Sequence, residues 1–153
     1  MKITIISVGK KHDSIFNPAI QEYMHRLSHS FDINWHFISP SGKSELIARK
    51  EESGQITNFL KKDAVTWLLD EAGQQLSSID LSTKIEFLKN RSVQELQVII
   101  GGAYGVDETL RQRADFIWSL SKLVFPHQIV RLLLVEQLYR ASEIQKGSGY
   151  HHA

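Results

Sequence analysis

The sequence predicts an α/β protein with a mostly parallel sheet that is covered by helices on both faces. Strand and helix signals alternate along the whole chain, starting with a strand and ending with a helix. Residues 64–69 are an almost continuous apolar run, as expected for a strand that is buried on both faces. Because no Pro-, Gly- or Ser-rich linker divides the 153 residues, we expect a single domain spanning residues 1–153.

The first part of the chain predicts three strands and two helices. Residues 2–8 form a β-branched strand, and apolar positions at helical spacing follow from about residue 15 to residue 27. Residues 31–38 alternate apolar and polar side chains as a second strand, which ends at the turn residues 40–42. Apolar positions between Leu46 and Leu60 predict a helix that we expect to be frayed around Gly54. Residues 64–69 are the third strand.

The second part predicts two more strands and three helices. We expect a turn at residues 70–73, then a helix that residues 77–80 lead into and that ends near Asn90. A strand at 96–100 follows, and Asp107 then caps a short helix that runs to about Ala114. The last two elements are a strand at 116–120 and a helix from Pro126 to about Gln145, which stops at Gly147.

Composition is that of an ordinary soluble domain, with 42% hydrophobic and 23% charged residues. Cysteine is absent, so disulfides and thiolate metal sites are excluded. The seven histidines have no ligand spacing with carboxylates, and we expect no metal site. The apolar N-terminal run is too short for a signal peptide, and residues 132–135 are too few to span a bilayer. We therefore expect a cytoplasmic protein.

The charges are unevenly distributed although the net charge is only +1. Residues 1–62 carry +3, residues 63–110 carry −5 and residues 111–153 carry +3. Two basic ends could form one phosphate-facing surface if the fold brings them together. The alternative is a solvated surface whose charge is uneven.

A glycine turn follows the fourth predicted strand, with Gly101, Gly102 and Gly105. Its spacing is wrong for a dinucleotide-binding motif, and Lys122 stands where such a motif would have an acid. A turn at the carboxyl edge of an open α/β sheet is nevertheless where ligands bind. The alternative is a tight turn without a ligand.

The last helix and the tail hold the other candidate residues. His127 and Arg131 are four apart at the helix start, where the positive end of the helix dipole favours a neutral imidazole. The imidazole could accept a proton or contact a phosphate, or it could only cap or pack. Glu136 and Arg140 have the spacing of an intrahelical ion pair, and the helix is apolar nearly all round, which favours a second subunit on one side. Tyr150, with the histidines after it, could stack on an unpaired base, or the tail could be disordered.

Several segments together resemble the RlmH family of SPOUT-class methyltransferases, over essentially the whole chain. These are Met1-Lys2-Ile3-Thr4-Ile5 with Val8-Gly9-Lys10, Ile100-Gly101-Gly102-x-x-Gly105, Ser119-Leu120-Ser121, Phe125-Pro126-His127, Val135-Glu136-Gln137-Leu138-Tyr139-Arg140-Ala141 and Tyr150-His151. The resemblance implies a C-terminal trefoil knot, which is an exception to the usual rule against threading. It also implies a homodimer that transfers a methyl group from S-adenosylmethionine to N3 of a pseudouridine in 23S rRNA, on assembled ribosomes.

The resemblance also implies which residues form the site. The S-adenosylmethionine pocket would use Leu69, Gly101, Leu120, Ser121, Lys122, Leu123, Val124 and Phe125. His127, Arg140, Tyr150 and His151 would be the catalytic and RNA-facing residues. Two positions depart from the family pattern: Tyr104 puts an aromatic ring in the glycine turn, where it would narrow the pocket, and His152-Ala153 replaces a basic residue at the tail.

The residues leave two questions of chemistry open. The N3 proton could be taken by an uncharged imidazole, or the anion could be stabilised by an arginine. The chain could also be a noncatalytic ribosome- or RNA-binding module with the same fold, or a different nucleotide-binding enzyme with the same glycine turn. Binding of S-adenosylmethionine discriminates the proposed enzyme from both.

Overall fold

The computed structural model describes residues 1–152 and confirms a parallel α/β fold. Within these residues, five strands form one sheet in the order β2-β1-β4-β3-β5, and every neighbouring pair is parallel. In chain order the elements are β1 Lys2–Val8, α1 Asn17–Leu27, β2 Asp32–Ile38, α2 Glu45–Phe59, β3 Val65–Gln75, α3 Ser78–Asn90, β4 Glu95–Ile100, α4 Glu108–Arg113, β5 Phe116–Ser119 and α5 His127–Gln145.

Both faces of the sheet are covered by helices, as the sequence predicts. One apolar cluster packs α1, α3 and α5 against one face, and its buried members include Ile20, Ile85 and Leu138. A smaller cluster packs α2 and α4 against the other face through Ile56 and Leu110. The central strand β4 is buried along its whole length, which explains why its sequence is apolar almost without alternation.

Local capping fixes two of the helix starts. The Ser77 side chain accepts a hydrogen bond from the Asp80 amide at 3.0 Å, and the Asp80 carboxylate accepts one from the Ser77 amide at 3.1 Å, which is a capping box. The Asp107 carboxylate accepts a hydrogen bond from the Leu110 amide at 2.8 Å, so the predicted cap of α4 is confirmed.

The predicted turn at residues 70–73 is wrong, because these residues belong to β3. Leu69 and Gln74 both lie opposite Trp118 of β5, so the strand bulges between them and then resumes its pairing. At Gly73, an added Cβ would lie 2.6 Å from the backbone carbonyl oxygen of Ile117. The residues that predicted a turn therefore form a bulge, and β3 continues six residues beyond Leu69.

The predicted fraying of α2 around Gly54 is also wrong. The helix is continuous from Glu45 to Phe59. Its neighbours Ser53 and Ile56 are buried, and the Thr57 hydroxyl donates a hydrogen bond to the Ser53 carbonyl at 2.8 Å. Packing against the sheet thus outweighs the low helix propensity of one glycine.

No helix among residues 1–152 combines the length and the apolar character that crossing a membrane would require. In the same part of the chain, no three His, Asp or Glu side chains are grouped so that they could hold a metal ion.

Candidate functional site

A cavity of about 680 Å³ opens at the carboxyl edge of the sheet. The bulge of β3, the glycine turn after β4, the loop between β5 and α5, and the start of α5 all contribute to its wall. Parallel strands bring their carboxyl ends to one edge, which places these segments side by side. The volume lies within the range of small-molecule sites.

The glycine turn is a two-residue turn closed by its own backbone. The Gly105 amide donates to the Gly102 carbonyl at 3.0 Å, and the Tyr104 carbonyl accepts a hydrogen bond from Nε of Arg49 at 2.9 Å. Behind the turn lies Glu52, which is 5% exposed, and burial raises the pKa of its carboxyl group. The hydrogen bond from Arg49 thus ties the turn to α2. On its other side the turn lines the cavity.

The loop between β5 and α5 has an ordered backbone and exposed apolar side chains. The Ser119 hydroxyl donates to the Ser121 carbonyl at 2.9 Å, and the Ser121 hydroxyl accepts from the Leu123 amide at 3.0 Å. Leu123 and Val124 are 69% and 81% exposed, and both line the cavity. Apolar groups exposed on a concave surface favour a bound ligand or partner that covers them.

Both arginines on the cavity rim are paired with carboxylates. Arg111 of α4 forms an ion pair with Asp70 of the β3 bulge, and Arg49 forms one with Glu45 at 3.0 Å. Sequence reasoning missed these four residues as part of the site. The spacing of four between Glu45 and Arg49, and the carboxylate that directly follows the apolar run of β3, were the available signals.

His127 is the one predicted catalytic residue that lines the cavity. Burial and the neighbouring Arg131 guanidinium lower the pKa of its imidazole, although a hydrogen bond with the Val8 backbone acts in the other direction. The expected neutral form is therefore favoured, through burial and a nearby cation. A neutral imidazole can accept a proton.

The other predicted catalytic residues are Arg140, Tyr150 and His151. Together with Glu136 and Tyr139 they form a second cluster, which we call the tail cluster. The rings of Tyr139 and Tyr150 are 4.8 Å apart, and the Arg140 guanidinium lies 4.8 Å from the centre of the Tyr150 ring. Arg140 also pairs with Glu136 at 2.6 Å, as its spacing predicts. Nδ1 of His151 is buried and has no hydrogen-bond partner among the described residues.

The hydroxyl of Tyr150 acts as a hydrogen-bond donor in the tail cluster. It donates to Glu136 at 3.3 Å and lies 3.5 Å from the hydroxyl of Tyr23. Burial, together with the contact to Tyr23, raises the pKa of this phenol. The group is therefore protonated over the physiological pH range.

The structure divides the predicted site residues, except Lys122, between these two places. The cavity is lined by Leu69, Gly101, Leu120, Ser121, Leu123, Val124, Phe125 and His127. Lys122, Arg140, Tyr150 and His151 are not among its lining residues. Arg140 follows His127 by thirteen positions in α5, which corresponds to about 20 Å along the helix axis. Of the two departures from the family pattern, Tyr104 lines the cavity, whereas Ala153 lies outside the described residues.

Comparisons with known proteins agree with this architecture. The family model described as a predicted SPOUT methyltransferase matches residues 1–151. The chain is similar to proteins named ribosomal RNA large subunit methyltransferase H: it is 37% identical to that of Bifidobacterium adolescentis, 38% to that of Clostridium botulinum strain Alaska E43 and 35% to that of Gloeobacter violaceus, with 99% of both chains covered each time. This protein belongs to the SPOUT methyltransferase family.

Proposed function

We propose that this protein transfers the methyl group of S-adenosylmethionine to N3 of a pseudouridine in 23S rRNA, on assembled ribosomes. The observation that carries the proposal is the cavity between the glycine turn and the loop at residues 120–125, in a chain similar over 99% of its length to ribosomal RNA large subunit methyltransferases.

The lining of the cavity suits S-adenosylmethionine. Its volume of about 680 Å³ accommodates a molecule of that size. Backbone groups of Gly101 and of residues 120–125 are placed to bind the adenosine and methionine parts, while Leu69, Leu123 and Phe125 exclude water. Lys122 belongs to the same loop, where its backbone rather than its side chain would take part. When bound, the cofactor supplies a methyl group on a sulfonium, ready for in-line displacement.

The chain's own residues then align the base and remove its proton. Of the two candidates left open by the sequence, His127 lines the cavity and has a lowered pKa that favours its neutral form, whereas Arg140 is paired with Glu136 outside it. We therefore assign proton removal or base placement to His127. Arg140, Tyr150 and His151 are assigned to the RNA.

The distance between the cavity and the tail cluster favours a homodimer. Since about 20 Å of α5 lies between them in one chain, a second copy would bring its tail cluster next to the cavity of the first. The partly exposed apolar residues Val130 and Leu132 of α5 provide a surface for this contact. Two cavities per dimer would each combine residues of both copies.

Three further features complete the proposal. The likeness to SPOUT proteins supports a trefoil knot in the C-terminal segment, where β5 lies beside β3 at the edge of the sheet. One sheet with an apolar cluster on either face supports a single domain over residues 1–153. Ribosomal RNA as substrate supports a cytoplasmic location.

Calorimetry with S-adenosylmethionine, combined with a tail deletion, tests the proposal. We expect the full chain and a variant lacking residues 150–153 to bind the cofactor with equal affinity, and only the full chain to methylate ribosomes. A full chain that does not bind S-adenosylmethionine would instead be a noncatalytic module or a different nucleotide-binding enzyme. A deletion variant that methylates normally would refute the role of the tail.

A further inference from the structure

The loop between β1 and α1 carries two lysines that have no acidic partner. Lys10 and Lys11 are exposed, and within residues 1–152 neither forms a salt bridge. The cations on the cavity rim differ, since Arg49 and Arg111 are both paired with carboxylates. The two lysines are therefore available for an anion from outside the chain.

A buried arginine, Arg131, forms a hydrogen bond with the backbone of this loop. Arg131 is 1% exposed; its Nη1 donates to the Lys10 carbonyl at 2.8 Å and its Nε donates to the Ser7 hydroxyl at 3.0 Å. No carboxylate of the described residues forms a salt bridge with it. Burial of a cation without a carboxylate partner costs free energy. The hydrogen bonds that Arg131 donates to Ser7 and Lys10 offset part of this cost and hold the loop in place.

The guanidinium also fixes the start of the loop. Gly9 has φ +129°, and a Cβ added there would lie 2.9 Å from Nη2 of Arg131. The ring of Phe37 in β2 also contacts the guanidinium, with its centre 5.1 Å from the guanidinium carbon. The backbone at Gly9 and Lys10 is therefore held against α5 by Arg131.

The same first turns of α5 contact both the loop and the cavity. The Asp13 amide donates to the side chain of Gln128 at 3.1 Å, and His127, the residue just before Gln128, lines the cavity. The loop follows β1, whose carboxyl end lies beside that of β4 and its glycine turn. The lysines thus lie on the carboxyl edge of the sheet, beside the cavity.

We propose that Lys10 and Lys11 bind phosphates of the rRNA backbone, and that Arg131 is the positioning residue that fixes them next to the cavity. This inference rests on the proposed function, because it names the surface that receives the RNA. Two unpaired ammonium groups on a rigid backbone suit phosphates, which lysines contact as point charges without reading sequence. Such contacts set the register of the RNA, so that the target base reaches the cavity.

Single-charge variants with a matched control test the lysines. Lys10→Gln and Lys11→Gln each remove one charge from the loop, and Lys62→Gln removes one exposed charge just before β3, at the opposite edge of the sheet. Binding to ribosomes that lack the modification is measured at several salt concentrations, together with KM and kcat for methyl transfer. The salt slope is the steepness with which the logarithm of the binding constant falls with the logarithm of the salt concentration. Each loop variant should lower this slope by about 0.7 to 0.9 and raise KM for ribosomes. Lys62→Gln should match the parent in both.

The slope change has a simple consequence for measured affinities. Between about 50 and about 200 mM salt, the loss of affinity should be about threefold smaller for each loop variant than for the parent. Loop variants that bind and respond to salt as Lys62→Gln does would overturn the proposal. Weaker binding with an unchanged salt slope would also overturn it, because the contact would then be to a ribosomal protein.

Arg131→Lys tests the positioning role, since a lysine keeps the charge but lacks the planar set of donors that reaches Ser7 and Lys10 from separate nitrogens. We expect it to bind S-adenosylmethionine, to raise KM for ribosomes and to lower the salt slope as the lysine variants do. A raised KM with the parent's salt slope would contradict positioning of the lysines. If Arg131→Lys fails to fold, Gly9→Ala displaces the same guanidinium and is measured in the same way.

A parent protein that transfers no methyl group would refute the proposed function instead, while its salt-dependent ribosome binding would still report on the loop.

Discussion

Replacing Gly73 with alanine should destabilise the protein through the bulge of β3. The added Cβ would lie 2.6 Å from the carbonyl oxygen and 2.7 Å from the carbonyl carbon of Ile117. These are backbone atoms of β5 and cannot rotate away, so the two strands must separate. Overpacking of this kind costs about 1–3 kcal/mol, which lowers Tm by roughly 2–12 °C in a domain of this size.

Gly54→Ala is the matched control for this prediction. Gly54 is helical, and an added Cβ there meets nothing within 4 Å. The same chemical change should therefore stabilise α2 by about 0.5–1 kcal/mol. The two variants are compared by urea unfolding at one fixed protein concentration.

The cavity provides a second readout for Gly73→Ala. Asp70, Glu71 and Ala72 directly precede Gly73 and line the cavity, so calorimetry should show weaker binding of S-adenosylmethionine to Gly73→Ala than to Gly54→Ala. A Gly73→Ala protein as stable as the parent would refute the close approach of β3 to β5. Equal destabilisation of both variants would refute it as well.

The remaining predictions concern titrating side chains. His127→Ala should lower turnover on ribosomes by about 10²- to 10⁴-fold, as measured with labelled methyl donor, and wild-type turnover would remove its catalytic role. Burial, followed by the Arg131 charge, lowers the pKa of His12 from 6.5 to about 4. Between these values the unfolded chain binds the proton and the folded chain does not, so the unfolding free energy should fall as pH is lowered through this window. His12→Phe should remove part of that fall, and an unchanged pH dependence would contradict the assignment. Tyr150→Phe keeps the ring contact with Tyr139 but loses the hydrogen bond to Glu136, so it should cost about 1 kcal/mol in urea unfolding, whereas a loss of several kcal/mol would contradict this role.

The order of elements could be predicted because the periodicity of apolar residues is local. Helical spacing in residues 17–27 and alternation in residues 32–38 report which face of each segment is buried. The glycine turn and the loop at residues 120–125 could likewise be placed at one sheet edge, because parallel strands share that edge.

The features that escaped prediction depend on contacts distant in sequence. The bulge at Gly73 exists because Ile117 approaches it, and a turn and a bulge use the same residue types. Arg49 reaches the glycine turn across 55 residues and Arg131 reaches Lys10 across 121. The local sequence shows the spacing of each arginine from its helix neighbours, but it does not show which distant loop the side chain reaches.

Transfer of labelled methyl from S-adenosylmethionine to purified ribosomes that lack the modification tests the central claim most directly. The nucleoside that carries the label is then identified after digestion of the 23S rRNA. We predict label on N3 of one pseudouridine, dependent on the intact cavity and tail. A folded protein that leaves the ribosomes unlabelled at saturating donor, or that labels another position, would contradict the proposed reaction.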